Sequence, residues 1–336
     1  VSVCLPSYNY ARFLGECMAS VLAQTHGNFE LIVVDDCSTD DSDRIIRSFS
    51  DSRIRYARNE ANIGMVRNWN RCLSLARGDY VCFLCADDTF LPRKLEVQVD
   101  LLDRYPEVGL VHSDGYSIDA AGEATRLFRS RFPLDLQEYL SLDHIHVSPE
   151  EFKRLVAGYN YIHFSNAMFR RECYQAVGGF DEGFPYAADW DLWLRISLHY
   201  DVAYVTEPLS CERWHGDNRT LKMKRSGQAY ADWYGVIKAA IARWPGPADE
   251  LVLVKKQALR VVRDHLLPAI HEDYAQGRMV QVRRKIWLAI ANDPSLLTDW
   301  LTVTTYLKSF LGKDGVSLLR KIKTFRFGGN CDIIIT

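Results

Sequence analysis

The chain has 336 residues, 48% hydrophobic and 25% charged, with a formal net charge of −2. These are ordinary globular values for a chain with a sizeable core, in one large domain or two ordinary ones. Near-neutral charge argues against a dedicated nucleic-acid binder, and no apolar run reaches the length of a membrane span. The nine cysteines are scattered through apolar segments, among them Cys4, Cys17, Cys72 and Cys82, which fits reduced core residues of a cytosolic protein rather than a disulfide scaffold. Cys82 and Cys85 stand three apart on a strand pattern and so face opposite ways; with nothing nearby to complete a zinc site, both read as packing residues. The chain begins at Val1 inside a strand-like run, without Met or a charged-then-apolar leader, which predicts no signal peptide and a few residues missing ahead of it.

Residues 1–5 are a short apolar run stopped by Pro6-Ser7-Tyr8-Asn9, a strand and then a turn. Over residues 11–24 the pairs Phe13-Leu14, Cys17-Met18 and Val21-Leu22 recur at helical spacing. Residues 29–34 form a nearly continuous apolar strand, the pattern of a parallel strand covered on both faces, and end in Asp35-Asp36-Cys37-Ser38-Thr39-Asp40. A helix through Ile46 and Phe49 follows, then a strand over 54–57, a helix over 64–76, a strand over 80–85, a helix over 92–104 and a strand over 108–112. Strict alternation of this kind predicts an α/β fold with a doubly wound, mostly parallel sheet and helices on both faces. Ligands of such sheets gather beyond the carboxyl ends of the strands. The polar clusters at 6–9, 35–40 and 87–88 fall there.

The third cluster ends the apolar run Tyr80-Val81-Cys82-Phe83-Leu84 in the adjacent carboxylates Asp87-Asp88. Two neighbouring Asp residues repel each other, and a divalent cation that shares its remaining positions with substrate phosphates relieves that repulsion. The alternative is a solvated turn whose Asp residues cap the helix that Pro92 opens.

Residues 113–220 are less regular, with helices over 149–156 and 171–177, a strand over 164–169, and the turn-rich Gly178-Gly179-Phe180-Asp181-Glu182. An amphipathic helix begins at Asp189-Trp190-Asp191-Leu192-Trp193-Leu194-Arg195, and a strand over 202–205 leads to Cys211-Glu212-Arg213-Trp214-His215-Gly216-Asp217-Asn218. Helical patterns alone follow, over 229–244, 250–265, 279–291 and 296–311, broken by Pro245-Gly246-Pro247, Pro268 and Pro294. The expected organisation is a catalytic domain over 1–220 and an appended helical region over 221–336.

Taken together, these pieces resemble the family-two glycosyltransferases of GT-A fold, over roughly residues 1–218. Pro6-Ser7-Tyr8-Asn9 resembles the family's first nucleotide-contacting turn, and Asp35-Asp36-Cys37-Ser38-Thr39-Asp40 its D-D-x-S-x-D element. Asn62-Ile63-Gly64 with Arg67-Asn68 resembles the next nucleotide-binding segment, and Cys85-Ala86-Asp87-Asp88 stands at the metal-binding D-x-D. The helix from Asp189 resembles the E-D-x-D-L-W-x-R helix that carries the catalytic base, and Arg213-Trp214-His215-Gly216-Asp217-Asn218 the segment whose His reaches the metal. Two positions depart from the pattern: Cys85 replaces the first Asp of D-x-D, and Ala188 replaces the Glu before the base.

The resemblance implies an inverting, metal-dependent transferase that moves a sugar from a UDP, dTDP or GDP donor to a saccharide or lipid-linked acceptor in cell-surface polysaccharide synthesis. Its cation, Mn2+ or Mg2+, would be held by Asp88, with Asp87 and His215 as further ligands. Pro6, Tyr8, Asn9, Asp35, Asp36, Asn62, Gly64, Arg67 and Asp87 would meet the nucleotide, Asp36 accepting from the ring N–H of a uracil or thymine. Asp35 has two readings, holding the turn or meeting the ribose, and Asp40 reads as a helix cap. Asp189 would be the general base, with Trp190, Asp191 and Arg213 on the acceptor side and Arg195 bracing the helix. The alternatives are a nucleotide-binding homologue without activity and a sugar-nucleotide pyrophosphorylase. The latter lacks support because the first turn has neither glycines nor basic residues.

Leu296, Leu297, Trp300, Leu301, Leu307, Phe310 and Leu311 make an apolar helical face, and further on Leu318, Leu319, Ile322, Phe325 and Phe327 interleave with Arg320, Lys321, Lys323 and Arg326. Such a segment docks on its own catalytic domain or on a second subunit as a homodimer contact, or lies on an anionic membrane surface. The expected location is cytoplasmic, with the inner membrane face as the place of any such contact.

Overall fold

The computed structural model describes residues 1–132, 134–146, 150–158, 160–294, 296 and 308–310. The basic amphipathic segment and most of the apolar face expected over 296–311 lie outside the described residues.

The first half alternates as expected. Strand β1 (Ser2–Ser7) is followed by α1 (Ala11–Leu22), β2 (Glu30–Asp35), α2 (Ser42–Ser48), β3 (Ile54–Arg58), α3 (Met65–Leu75) and β4 (Tyr80–Phe83). Then come β5 (Thr89–Phe90), α4 (Lys94–Arg104), β6 (Val108–Ile118), β7 (Ala124–Leu127), α5 (Leu134–Tyr139), β8 (His144–His146) and α6 (Glu150–Gly158). Strand β9 (Met168–Arg170), α7 (Arg171–Val177), α8 (Ala188–Ser197) and β10 (Asp201–Arg213) complete the sheet region. The helices α9 (Arg219–Ser226), α10 (Gln228–Ala242), α11 (Ala248–Ala275) and α12 (Met279–Asn292) follow.

The sheet runs β3-β2-β1-β4-β9-β6-β10-β5, with β7 on β6 and β8 on β10. Strands β1, β2, β3 and β4 pair in parallel, as do β6 and β10, while β9 is antiparallel to both β4 and β6. One reversed strand between two parallel blocks leaves the carboxyl ends of β1, β2, β4, β6 and β10 on a single edge. The sheet is therefore mixed but mostly parallel. Gly78 leads into β4 where the neighbouring strand is closest: a Cβ there would lie 2.7 Å from Ser2 N and 2.7 Å from Val1 C.

Alternation along the buried strands divides the core in two. Val3, Leu5, Leu31 and Val33 face Leu14, Met18, Val21, Leu95 and Leu102 of α1 and α4. Cys4, Ile32, Val34 and Phe83 face the opposite layer, where Trp69, Phe152, Trp190 and Trp193 pack. Trp233, Val262 and Ile286, from the helices beyond residue 220, belong to this second core.

Two expectations change. The strand expected over 164–169 is a 3-10 turn over Phe164–Asn166 followed by β9. The helix expected to stop before Pro268 continues through it to Ala275. A mid-helix proline costs about 3 kcal/mol, but Val262, Leu266 and Ile270 are each at most 1% exposed, and burying each such side chain returns about 1.5–3 kcal/mol.

Candidate active site

The polar clusters at the strand ends occupy one rim. After β4 the chain makes a tight turn in which Asp88 N donates to Cys85 O at 3.0 Å. That turn gathers Cys85 Sγ and the carboxylates of Asp87 and Asp88 within 4.8 Å of one another. Asp88 is 2% exposed and already held: its Oδ2 accepts from Ser165 Oγ at 2.6 Å and its Oδ1 from Arg213 N at 2.9 Å. Asp87 turns Oδ2 toward His215 Nε2 at 3.1 Å and Asn218 Nδ2 at 3.3 Å. Burial raises both carboxyls, Asp88 to about 7 with the Asp87 charge adding to the effect. A cation between them would reverse that logic by favouring the ionised forms. The donor set of two carboxylates with an imidazole alongside fits a hard or borderline divalent ion, and these are the residues that would hold one.

Arg213, expected on the acceptor side, is buried at 2% and braces this turn instead. Its Nε donates to Asp87 O at 2.9 Å and its Nη2 to Glu16 Oε2 at 2.7 Å, with Phe13 beneath the guanidinium.

The expected nucleotide-binding residues line the rim from β1 to α3, and several already serve the protein itself. Tyr8 is 43% exposed, and Pro6 is half-buried at the end of β1. Asn9 adopts a positive φ of 58° and accepts from Thr39 N at 2.8 Å, while its own N–H donates to Ser38 Oγ at 2.9 Å, stitching the first two strand ends together. Asp35 is fully buried and accepts from Ser38 N and Ser38 Oγ, so it holds the turn. Asp40 accepts from Ser42 N at 3.0 Å and Ala11 N at 2.9 Å, a capping role for two helix starts. Asp36 accepts at Oδ1 from Asn59 Nδ2 at 2.6 Å and Ile63 N at 2.9 Å, and at Oδ2 from Gly64 N at 3.0 Å. It thereby pins the segment that enters α3, where Gly64 has φ 91°. Asn62 and Arg67 are exposed on that segment, and Arg67 Nε reaches Glu182 Oε2 at 2.7 Å.

Asp189 lies in the first turn of α8 and is half-buried. Its Oδ1 accepts from the first-turn N–H of Trp190 at 2.8 Å, and its Oδ2 from the remote Asn160 Nδ2 at 3.0 Å. Burial raises its carboxyl from 3.8 to about 6, against the lowering effect of those bonds and of His163. The neighbours expected beside the acceptor sit below the rim. Trp190 and Asp191 are each 1% exposed, and Asp191 is committed to Arg195 Nε at 2.8 Å and Arg243 Nη1 at 3.4 Å. Arg195 braces α8 as expected, donating also to the carbonyls of Val177, Gly178 and Gly179.

Sequence patterns did not single out the run that connects these parts, residues 160–166. Within it Asn160 holds Asp189, Ser165 holds Asp88, and Asn166 donates to Ser113 O at 2.9 Å. Between them His163 Nε2 pairs with Glu212 Oε1 at 2.9 Å, and Trp214 Nε1 donates to Glu212 Oε2 at 2.7 Å. His163 is within electrostatic reach of both Asp88 and Asp189, and Glu212 of both Asp87 and Asp88. The arrangement is an acid-lined rim with a raised carboxyl near one end, two clustered carboxylates near the other, and a histidine–glutamate pair between.

Residues 2–178 match the family described as glycosyl transferase family 2. The O-antigen biosynthesis protein RfbC of Myxococcus xanthus is 33% identical over 216 residues, which cover 62% of this chain and 15% of that protein. The structure of S. aureus TarS 1–349 in complex with UDP-GlcNAc is similar, with TM-score 0.66 and 15% identity over 99% of this chain and 94% of that one. A mannosyltransferase from Pyrobaculum calidifontis in complex with GDP-Man and Mn2+ has TM-score 0.56 and 19% identity, over 96% of this chain and 87% of its own. At those identities the two structures establish a shared GT-A fold.

Proposed function

The chain belongs to glycosyl transferase family 2, and from that premise we propose that it moves a sugar from a nucleotide diphosphate donor to an acceptor hydroxyl with inversion. The observation that carries this reading is the pairing, along residues 160–166, of a half-buried carboxyl raised to about 6 with a separate carboxylate cluster that suits a cation. Asp189 takes the proton of the acceptor hydroxyl as its oxygen bonds to the anomeric carbon from the face opposite the leaving group. The bond from that carbon to the donor phosphate breaks, and the nucleoside diphosphate leaves. Asp87, Asp88 and His215 would hold a divalent ion, Mn2+ or Mg2+, which supplies charge neutralisation at the departing diphosphate. Tyr8, Asn9, Asn62 and Arg67 offer the exposed surface for the nucleotide, with Asp35 and Asp36 shaping it from below. Trp190, Asp191 and Arg213 act as supports of that rim.

The donors bound in the fold neighbours, UDP-GlcNAc and GDP-Man, support a nucleotide-sugar substrate, and the likeness to an O-antigen biosynthesis protein supports a polysaccharide acceptor. We assign catalysis to residues 1–220 and contact with the acceptor, a second subunit or a membrane surface to the region beyond. Among the described residues no helix is long and apolar enough to cross a membrane.

Nucleoside diphosphate release from UDP-, GDP- and dTDP-sugars, with and without Mn2+, tests the reading. Metal-dependent turnover of one donor, giving a product of inverted anomeric configuration by NMR, is the expected result. A product of retained configuration overturns the mechanism, and no turnover of any donor overturns the assignment as an enzyme.

A further inference from the structure

The turn that ends β4 offers a donor atom that the sequence pattern had consigned to packing. Cys82 is that kind of residue, fully buried in the core beneath α1 and α4. Cys85 is not. It is half-buried, and the turn closed by Asp88 N and Cys85 O brings its Sγ beside the carboxylate oxygens of Asp87 and Asp88. Cys85 N donates to Ser165 Oγ at 3.2 Å, and the same hydroxyl donates to Asp88 Oδ2 at 2.6 Å, so one serine fixes both ends of the turn.

The oxygens of this cluster are partly occupied. Both carboxylate oxygens of Asp88 accept protein donors, and Asp87 Oδ2 faces His215 and Asn218. A cation entering here therefore meets two crowded carboxylates and a sulfur where an all-oxygen site would offer a third carboxylate. Mg2+ demands a near-octahedral oxygen shell, whereas soft thiolate ligands suit transition ions. We propose that Cys85 Sγ is a direct ligand of the donor's cation, so that this site selects manganese and softer transition ions over magnesium. Binding forms a metal–sulfur bond and sends the thiol proton to solvent, with no change of oxidation state. The inference rests on the assignment of Asp87 and Asp88 as the cation's carboxylates.

Cobalt(II) reports the bond directly, because a thiolate ligand adds an intense near-ultraviolet charge-transfer band to its spectrum. Cobalt(II) is titrated into the full chain with UDP, and in parallel with GDP, while calorimetry counts the ions bound. The expected result is the band in the wild-type protein, its loss in Cys85→Ser, and at least about tenfold weaker cobalt binding in that variant, the lower end of what losing even an outer-shell partner costs. Cys85→Asp should close the gap between manganese and magnesium affinities by about tenfold. Cobalt bound without the band, a band that persists in Cys85→Ser, or an unchanged metal ratio in Cys85→Asp overturns the role of the sulfur while leaving the carboxylate site standing. Absence of any bound cobalt or manganese overturns both assignments.

Discussion

Replacing Asp189 by Asn separates the cost of a buried carboxylate from its use. Burial raises the group from 3.8 to about 6. The folded protein at pH 8 therefore carries an ionised group disfavoured by about 3 kcal/mol, a figure trimmed by solvent at the half-open rim. The sign follows from proton uptake: between the two values the folded state binds the extra proton. Stability from this group is thus complete below about pH 4 and is lost as pH rises through about 6. Asn escapes that loss but sets an amide nitrogen against Trp190 N or Asn160 Nδ2, both donors to the present carboxylate, at about 1–1.5 kcal/mol. This second cost is the same at every pH. Comparing variant with wild type by urea denaturation at about pH 4.5 and pH 8 therefore isolates ionisation, and the swing should be about 1–2 kcal/mol in favour of Asn at the higher pH. Turnover should fall by about 10²–10⁴, while metal-dependent nucleotide binding stays near normal. Wild-type kcat/KM should drop about tenfold per pH unit below about 6. A variant with wild-type turnover refutes the base assignment, and a variant whose stability tracks the wild type at both pH values refutes the buried-carboxylate argument.

Asn160→Ala removes a hydrogen bond that lowers Asp189, so the acidic limb of the kcat/KM profile should move to higher pH; a stationary limb contradicts the coupling. Asp88→Ala should abolish the Mn2+-dependent part of UDP or GDP binding in calorimetry, and equal binding with and without the metal in both proteins counts against the cation site. Asp36→Asn leaves one backbone donor of Ile63 or Gly64 unmatched; unfolding in urea should show a loss of about 1–3 kcal/mol, together with weaker nucleotide binding. Gly78→Ala pushes a methyl group to 2.7 Å from backbone atoms of Val1 and Ser2 and should destabilise by about 1–3 kcal/mol, read as a lower melting temperature by circular dichroism.

The sheet was legible where an apolar run ends abruptly in polar residues. Val33-Val34 before Asp35 and Phe83-Leu84 before Asp87 mark strand ends without any knowledge of their neighbours, because burial on both faces demands continuous hydrophobicity. Strand β10 was legible only over its first residues. Thr206, Glu207 and Pro208 look like a loop, yet register shifts against β6 absorb them and the strand runs on to Arg213. Those shifts put Arg213, and the His215 beyond it, beside the β4 turn. Residues 160–166 were legible only as the start of a strand expected from 164, and their role was not, because what they do is hold partners remote in the chain: Ser165 and Asp88 are 77 positions apart. Cys85 was legible only in part: it packs against the core as expected, but strand alternation does not say which carboxylates a following turn will fold back beside it.

The run from Asn160 to Asn166 braces carboxylates at both ends of the rim with one stretch of backbone. Under the proposed mechanism, the gap between leaving group and incoming nucleophile is gauged by a fixed length of chain, not by two separate loops. Such a gauge lets the surrounding loops be remodelled for a new sugar or a new acceptor while the distance over which the glycosyl group must travel stays the same.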